Sequence, residues 1–117
     1  MASLSLIIPA HNSEKVLENS IREYYPIFSE KFEQFEMIIV CNDCWDKTVS
    51  IAKSLEQEFP IKTIAIPQRG KGFALKTGFD NARFDIIGFK DSDNPFELKK
   101  IIKMIELLDN CDMVLAS

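Results

Sequence analysis

No apolar stretch in this 117-residue sequence approaches the roughly 20 residues that a membrane-spanning helix needs. The apolar run near the start, Leu4-Ser5-Leu6-Ile7-Ile8, has no basic residue before it, so it reads as a first strand and not as a secretion signal. Basic residues form no long block and the net charge is −4, which makes nucleic acid a poor partner. Cysteine is scarce: Cys41, Cys44 and Cys111 are an odd set in a chain without a secretion signal, and the expectation is a reduced, cytoplasmic protein. Histidine is scarcer still. His11 is the only one, and with no evident carboxylate to orient it a structural role is expected ahead of general-base work. No repeat, low-complexity tract or linker divides the chain, so residues 1–117 are read as one domain. Its composition, 46% hydrophobic and 27% charged, supports a real but modest core.

What is present is an alternation of short apolar runs with segments of helical period. Strands are expected at Ser3–Ile8, Glu36–Cys41, Ile61–Ile66, Asp85–Phe89 and Cys111–Ala116. A first helix begins near Ser13 as its cap, with Val16, Leu17, Ile21 and Tyr24 inward, and Pro26 should kink or end it, though Ile27, Phe28 and Phe32 point to more helical or packed chain beyond. A second covers Lys47–Glu58 behind Asp46 as cap, with Val49, Ala52 and Leu55 inward. A third covers Gly72–Ala82, burying Ala74, Leu75, Gly78, Phe79 and Ala82. A fourth covers Pro95–Leu108, with Leu98, Ile101, Ile102, Ile105 and Leu108 inward. Strand and helix in alternation specify βαβ units, hence an α/β fold built on a mostly parallel sheet of about five strands. The strand-to-helix loops Pro9–Ser13, Asn42–Asp46, Pro67–Lys71 and Asp91–Asn94 then gather on one edge of the sheet, where such folds bind ligands.

These loops hold most of the chemically capable residues. Asp91-Ser92-Asp93 ends the fourth strand with two carboxylates near one point, which suits a hard divalent cation and, through it, a phosphate-bearing ligand. The same stretch also suits capping of the helix at Pro95 by Asp93 or Asn94. Gln68-Arg69-Gly70-Lys71-Gly72 sets glycines and cations at a helix start, where backbone N–H groups favour anions. It lacks the Walker spacing, and by itself it reads first as a solvated basic turn. Cys41-Asn42-Asp43-Cys44 lies between a strand and a helix, the setting of a thioredoxin-like pair, but no suitably placed proline accompanies it. A buried Cys41 and a half-exposed Cys44 are expected instead, and the cysteines with His11 match no zinc spacing. Trp45 is expected to pack partly buried, with stacking on a base as the alternative.

Four segments, taken in order, resemble one family. They are Leu6-Ile7-Ile8-Pro9-Ala10-His11-Asn12-Ser13-Glu14, Ile38-Ile39-Val40-Cys41-Asn42-Asp43-Cys44-Trp45-Asp46-Lys47-Thr48, Arg69-Gly70-Lys71-Gly72-Phe73-Ala74-Leu75-Lys76-Thr77-Gly78-Phe79, and Asp91-Ser92-Asp93. Together they resemble the inverting family 2 glycosyltransferases, close to the dolichyl-phosphate sugar synthase-like members, and the third segment is the most specific. The resemblance implies a three-layer α/β/α, Rossmann-like fold of the GT-A nucleotide-diphospho-sugar transferase type. It implies a UDP- or GDP-linked sugar as donor and an acceptor such as a polyprenyl phosphate. Base and ribose would lie around Pro9, Asn12, Glu14, Asn42 and Asp43, with Arg69 and Lys71 near base and diphosphate. Asp91 and Asp93 would hold Mg²⁺ or Mn²⁺, with Asp91 also toward the donor.

The sequence departs from the family in its second loop. The family's paired aspartates read as Cys41 and Asn42, and its Gly-Ser as Asp43 and Cys44, so a base-contacting carboxylate is replaced or shifted to Asp43. The chain stops at Ser117, which by the resemblance leaves a truncated fold without the acceptor pocket and general base, and no residue is assigned a catalytic role. Two rivals stand beside this reading. One is a non-catalytic nucleotide-binding or assembly module, homodimerising through an open sheet edge. The other is a haloacid dehalogenase-like phosphatase with Asp91 as nucleophile, which Asn94-Pro95 does not fit.

Overall fold

The computed structural model describes residues 3–84, 86–89 and 113–115. Parallel strands β1 (Ser3–Ala10), β2 (Gln34–Asn42), β3 (Ile61–Ile66), β4 (Ile86–Phe89) and β5 (Met113–Leu115) form one sheet in the order β3-β2-β1-β4-β5. Helices α1 (Leu17–Lys31), α2 (Thr48–Leu55) and α3 (Lys71–Asn81) connect the first four strands. The chain steps outward from β1 through β2 to β3, then returns past both to β4. Right-handed crossovers put connections of opposite direction on opposite faces. Accordingly α1 and α2 cover one face and α3 the other, giving the α/β/α layering expected. The order reverses between β1 and β4, and the C-terminal ends of the strands at such a reversal form a ligand crevice.

Two-sided burial explains why the strands read as continuous apolar runs. Leu4, Leu6, Ile8 and Ala10 of β1, with Met37, Ile39 and Cys41 of β2, meet Leu17, Ile21, Tyr24 and Phe28 of α1 and Ala52 and Leu55 of α2. Ile7, Ile38 and Val40 point the other way, onto Ala74 with Leu75 and Phe79 of α3. At Gly78, α3 rides so close to β1 that a Cβ there would sit 2.5 Å from Ile7 Cγ2.

Polar contacts finish the other end and one rim of the sheet. Ser5 and Glu36 are register partners on β1 and β2. The buried Glu36 carboxylate accepts from Ser5 Oγ, from Arg83 N at 2.7 Å and from Arg83 Nε at 3.0 Å, while Phe84 N donates to Ser5 Oγ at 3.1 Å. This clasp ties the α3–β4 connection to the N-terminal edge. At the β3 rim, Thr63 N donates to Glu56 Oε2 at 2.8 Å and Ile61 N to Phe59 O at 2.8 Å, which blunts it as a template for another strand.

Several boundaries differ from expectation. Ser13 does not cap α1 through its side chain; its carbonyl accepts from Val16 N and Leu17 N, the helix proper begins at Leu17, and Val16 is exposed. Pro26 does not end α1, which runs on to Lys31. Tyr24 and Phe28 are fully buried on either side of it while Pro26 faces solvent, so tertiary anchoring overrides the loss of one N–H. α2 stops at Leu55, and residues 56–58 form a turn. β1 and β2 run longer than expected and take in Pro9 and Asn42. Pro9 lies beyond the register with β4, which ends at Ile7, so its missing N–H costs no bond on that side. β5 falls inside the expected fifth strand; the expected fourth helix, 95–108, and the loop 91–94 lie outside the described residues.

Candidate functional site

At the C-terminal edge, the segments that follow β1 and β2 interlock. Asn12 and Asp43 are the non-glycine residues with positive φ among the described residues, at 47° and 51°. Asparagine and aspartate are the types that tolerate this left-handed region. The turn aims Asn12 Oδ1 at the second loop, where it accepts from Trp45 N at 3.0 Å and Asp46 N at 3.3 Å. The second loop answers: Glu14 N donates to Asp46 Oδ2 at 3.3 Å, Ser13 N to Thr48 Oγ1 at 2.7 Å, and Lys47 N to Glu14 Oε2 at 3.4 Å. His11 Nδ1 lies 2.9 Å from Asn42 O; a carbonyl only accepts, so this nitrogen carries the proton. The histidine thus bridges the loop after β1 to the end of β2.

Asp46 is the hub of this lock as well as the expected cap of α2. It accepts from Thr48 N at 2.9 Å and from Thr48 Oγ1. Burial pushes its carboxyl up, but hydrogen bonds from the Thr48 hydroxyl, Thr48 N–H and Glu14 N–H outweigh that and hold it below the usual carboxylate range. Asn12→Ala removes two acceptor contacts and puts alanine at φ 47°. It is expected to cost about 2 kcal/mol in urea denaturation. Asn12→Gly, which relieves the backbone strain, should cost less; equal losses would show that the strain contributes nothing.

The third loop joins through Asn42 and Asp43. Asn42 Nδ2 donates to Gly70 O at 3.3 Å, and Asp43 N to Ile66 O at 2.9 Å. Arg69 Nε lies 3.0 Å from Asp43 Oδ2. Gly70, at φ 99°, sits at the N-cap of α3 with no side-chain cap bond, and the first turn holds no acidic residue. Among the described residues a Cβ at Gly70 or Gly72 would meet nothing within 4 Å. A helix start without a side-chain cap, with Arg69 and Lys71 beside it, favours an anion. Lys71 Nζ stands 5.7 Å from the centroid of the Phe89 ring at the C-terminal end of β4. The cationic turn is therefore beside the strand that leads in sequence to Asp91-Ser92-Asp93.

Of the residues singled out in the sequence, Asn12, Glu14, Asn42, Asp43, Arg69 and Lys71 are gathered on this edge, with Pro9 at the end of β1. Asp91 and Asp93 lie outside the described residues, among which no group of three or more His, Cys, Asp or Glu is placed to hold a metal. Trp45 corrects one expectation. It is 80% exposed, because the loop turns Cys44 inward instead, with its Sγ 3.3 Å from Ala10 O. Sequence reasoning missed Thr48 as the receiver of Ser13 N; its one cue was a hydroxyl two residues after a capping aspartate.

This fold and this loop edge define a GT-A-type α/β protein. The chain belongs to glycosyl transferase family 2, whose family model matches residues 5–117. Among curated relatives it is similar to the uncharacterized glycosyltransferase YfnE of Bacillus subtilis, at 35% identity over 107 residues, covering 91% of this chain and 27% of the relative. It is also similar to a dolichyl-phosphate beta-glucosyltransferase of Trichomonas vaginalis, at 32% identity over 127 residues, covering 97% of this chain and 39% of that one. The chain thus spans well under half the length of these relatives. In fold it matches glucosyl-3-phosphoglycerate synthase from Mycobacterium tuberculosis, solved in complex with Mn²⁺, UDP-glucose and glycerol 3-phosphate. That match has a TM-score of 0.64 at 24% identity and covers 79% of this chain and 34% of the synthase chain. Among the described residues no helix is long and apolar enough to cross a membrane.

Proposed function

We propose that residues 1–117 form one nucleotide-sugar-binding domain, which holds a UDP- or GDP-linked sugar for inverting transfer to an acceptor such as a polyprenyl phosphate. The observation that carries this reading is the convergence of the interlocked Asn12 and Asp43 turns with the open first turn of α3 on one sheet edge. Base and ribose lie against Pro9, Asn12, Glu14, Asn42 and Asp43. Arg69 and Lys71, with the N–H groups at the start of α3, take the diphosphate. The hard carboxylates of Asp91 and Asp93 suit Mg²⁺ or Mn²⁺, which when bound supplies Lewis acidity toward the leaving diphosphate. The Mn²⁺ and UDP-glucose named with the mycobacterial synthase support the choice of ligand class.

Thermal shift and calorimetry with UDP, GDP and their sugars, with and without Mn²⁺, test the reading. At a ligand concentration of 100 Kd the protein is expected to gain about 2.7 kcal/mol. Lys71→Ala and Arg69→Ala should each weaken binding about tenfold by removing a cation from the diphosphate. Asp93→Ala should abolish the Mn²⁺ dependence. Absence of binding by every nucleoside diphosphate would overturn the proposal and favour an assembly module.

A further inference from the structure

The donor edge contains a thiol pair that the proposed function does not use. The chain bends at Asp43, with φ 51°, and this brings Cys44 back onto the core cluster to which Cys41 belongs. Ala10, whose carbonyl the Cys44 sulfur approaches, is the register partner of Cys41, and both cysteines pack into the same cluster on one face of the sheet. Cys44 also reaches Ala10 O at 3.3 Å and Asn42 O at 3.7 Å, so its sulfur ties the second loop to the end of β1. Asp43, between the cysteines, carries the ion pair to Arg69 and the hydrogen bond to Ile66 O. We propose that Cys41 and Cys44 close into a reversible disulfide that loosens this loop and weakens nucleotide binding, making the edge sensitive to oxidants of the organic disulfide class. The loss of nucleotide affinity rests on the donor-site reading; formation of the bond does not.

Exposure sets the order of events. Cys41 is 1% exposed, while Cys44 is half-buried and reachable. Burial and the neighbouring Cys44 push the Cys41 thiol up to about 12, so it is a poor first nucleophile. The Cys44 thiolate attacks one sulfur of an organic disulfide and displaces one thiolate, leaving a mixed disulfide. Cys41 then gives up its proton and attacks the Cys44 sulfur, expelling the second thiolate. Two protein thiols are oxidised and one organic disulfide is reduced to two thiols. Closure draws the Cys44 sulfur off Ala10 O toward Cys41, which removes one tie between β1 and the loop.

The test treats the whole chain with oxidised glutathione. The expected product is lighter by two hydrogens, carries no glutathione, and maps to a Cys41–Cys44 bond. Emission from Trp45, which adjoins Cys44 and is the only tryptophan, should shift. Affinity for UDP or GDP, whichever binds more tightly, should fall about tenfold and return with dithiothreitol. Cys44→Ser and Cys41→Ala, made separately so that failure of one to fold leaves the other, should each prevent the bond. A persistent glutathione adduct, a bond to Cys111, or a Cys41–Cys44 bond that leaves both Trp45 emission and affinity unchanged would overturn the proposal. A bond with shifted emission in a protein that never bound nucleotide would sustain the switch and sink the donor-site reading.

Discussion

Gly78→Ala is expected to lower stability by about 1 kcal/mol net, and Gly78→Val by about 3 kcal/mol or more. Helix propensity alone predicts the opposite, since alanine in place of an interior glycine gains about 1 kcal/mol. Packing decides the sign. A Cβ at position 78 would lie 2.5, 2.7 and 2.8 Å from Cγ2, Cδ1 and Cγ1 of Ile7. Ile7 cannot yield cheaply: it is fully buried, stiff at χ1 as a β-branched residue, and in the strand paired on both sides. Either α3 moves off the sheet or Ile7 leaves its rotamer, and overpacking of this kind costs about 1–3 kcal/mol. Gly72→Ala is the control. Its Cβ meets nothing within 4 Å among the described residues, and it is expected to hold or raise stability in urea denaturation. Equal stability of the two alanine variants would show that α3 does not bear on Ile7.

The second large effect is at Glu36. Glu36→Ala is expected to cost about 3 kcal/mol, because Ser5 Oγ and Arg83 N lose a buried acceptor together. Glu36→Gln should fall between, keeping acceptor oxygen but not the charge facing Arg83. Burial pushes the Glu36 carboxyl up, yet hydrogen bonds from Ser5, Arg83 N–H and the Arg83 side chain together hold it below its ordinary value. A carboxyl lowered on folding stabilises fully above its unfolded pKa of about 4.3, and that contribution is lost as pH falls through the folded value. Wild-type stability should therefore decline in acid, over a window starting near the unfolded pKa, and the Glu36→Ala curve should be flatter there. Parallel curves in urea denaturations across that window would remove Glu36 as a cause of acid sensitivity.

How much was legible in the sequence follows from how far each signal reaches along the chain. β1 and β2 were visible because both faces are covered, which leaves an unbroken apolar run. The convergence of the first three loops was visible because alternation of strand and helix fixes a parallel sheet, and a parallel sheet fixes which loops share an edge; the fourth, 91–94, lies outside the described residues. At Pro26 the local rule gives way to Tyr24 and Phe28, buried on either side, and Phe28 is among the residues that already pointed to packed chain beyond it. Trp45 misled because size suggested burial, whereas the bend at Asp43 selects Cys44 as the residue turned inward. The lock from Asn12 to Asp46 and the clasp from Glu36 to Arg83 were not legible. Their partners are 34 and 47 residues apart, and paired polar groups at such distances leave no periodicity to read.

The central place of β1 has a consequence for biogenesis. Of the described strands β1 is made before the others, and it needs both β2 and β4 as neighbours. Its partnership with β2 can be made as soon as Gln34–Asn42 has emerged, and α1 and α2 can then cover one side. The flank at Leu4–Ile7 waits for Ile86–Phe89, separated from it by nearly the whole of the intervening chain. A nascent chain stalled in that interval carries an unpaired, largely apolar flank able to recruit any passing extended segment. Among the described residues four of β4 seal it, so a pause in synthesis ahead of that stretch is expected to favour aggregation.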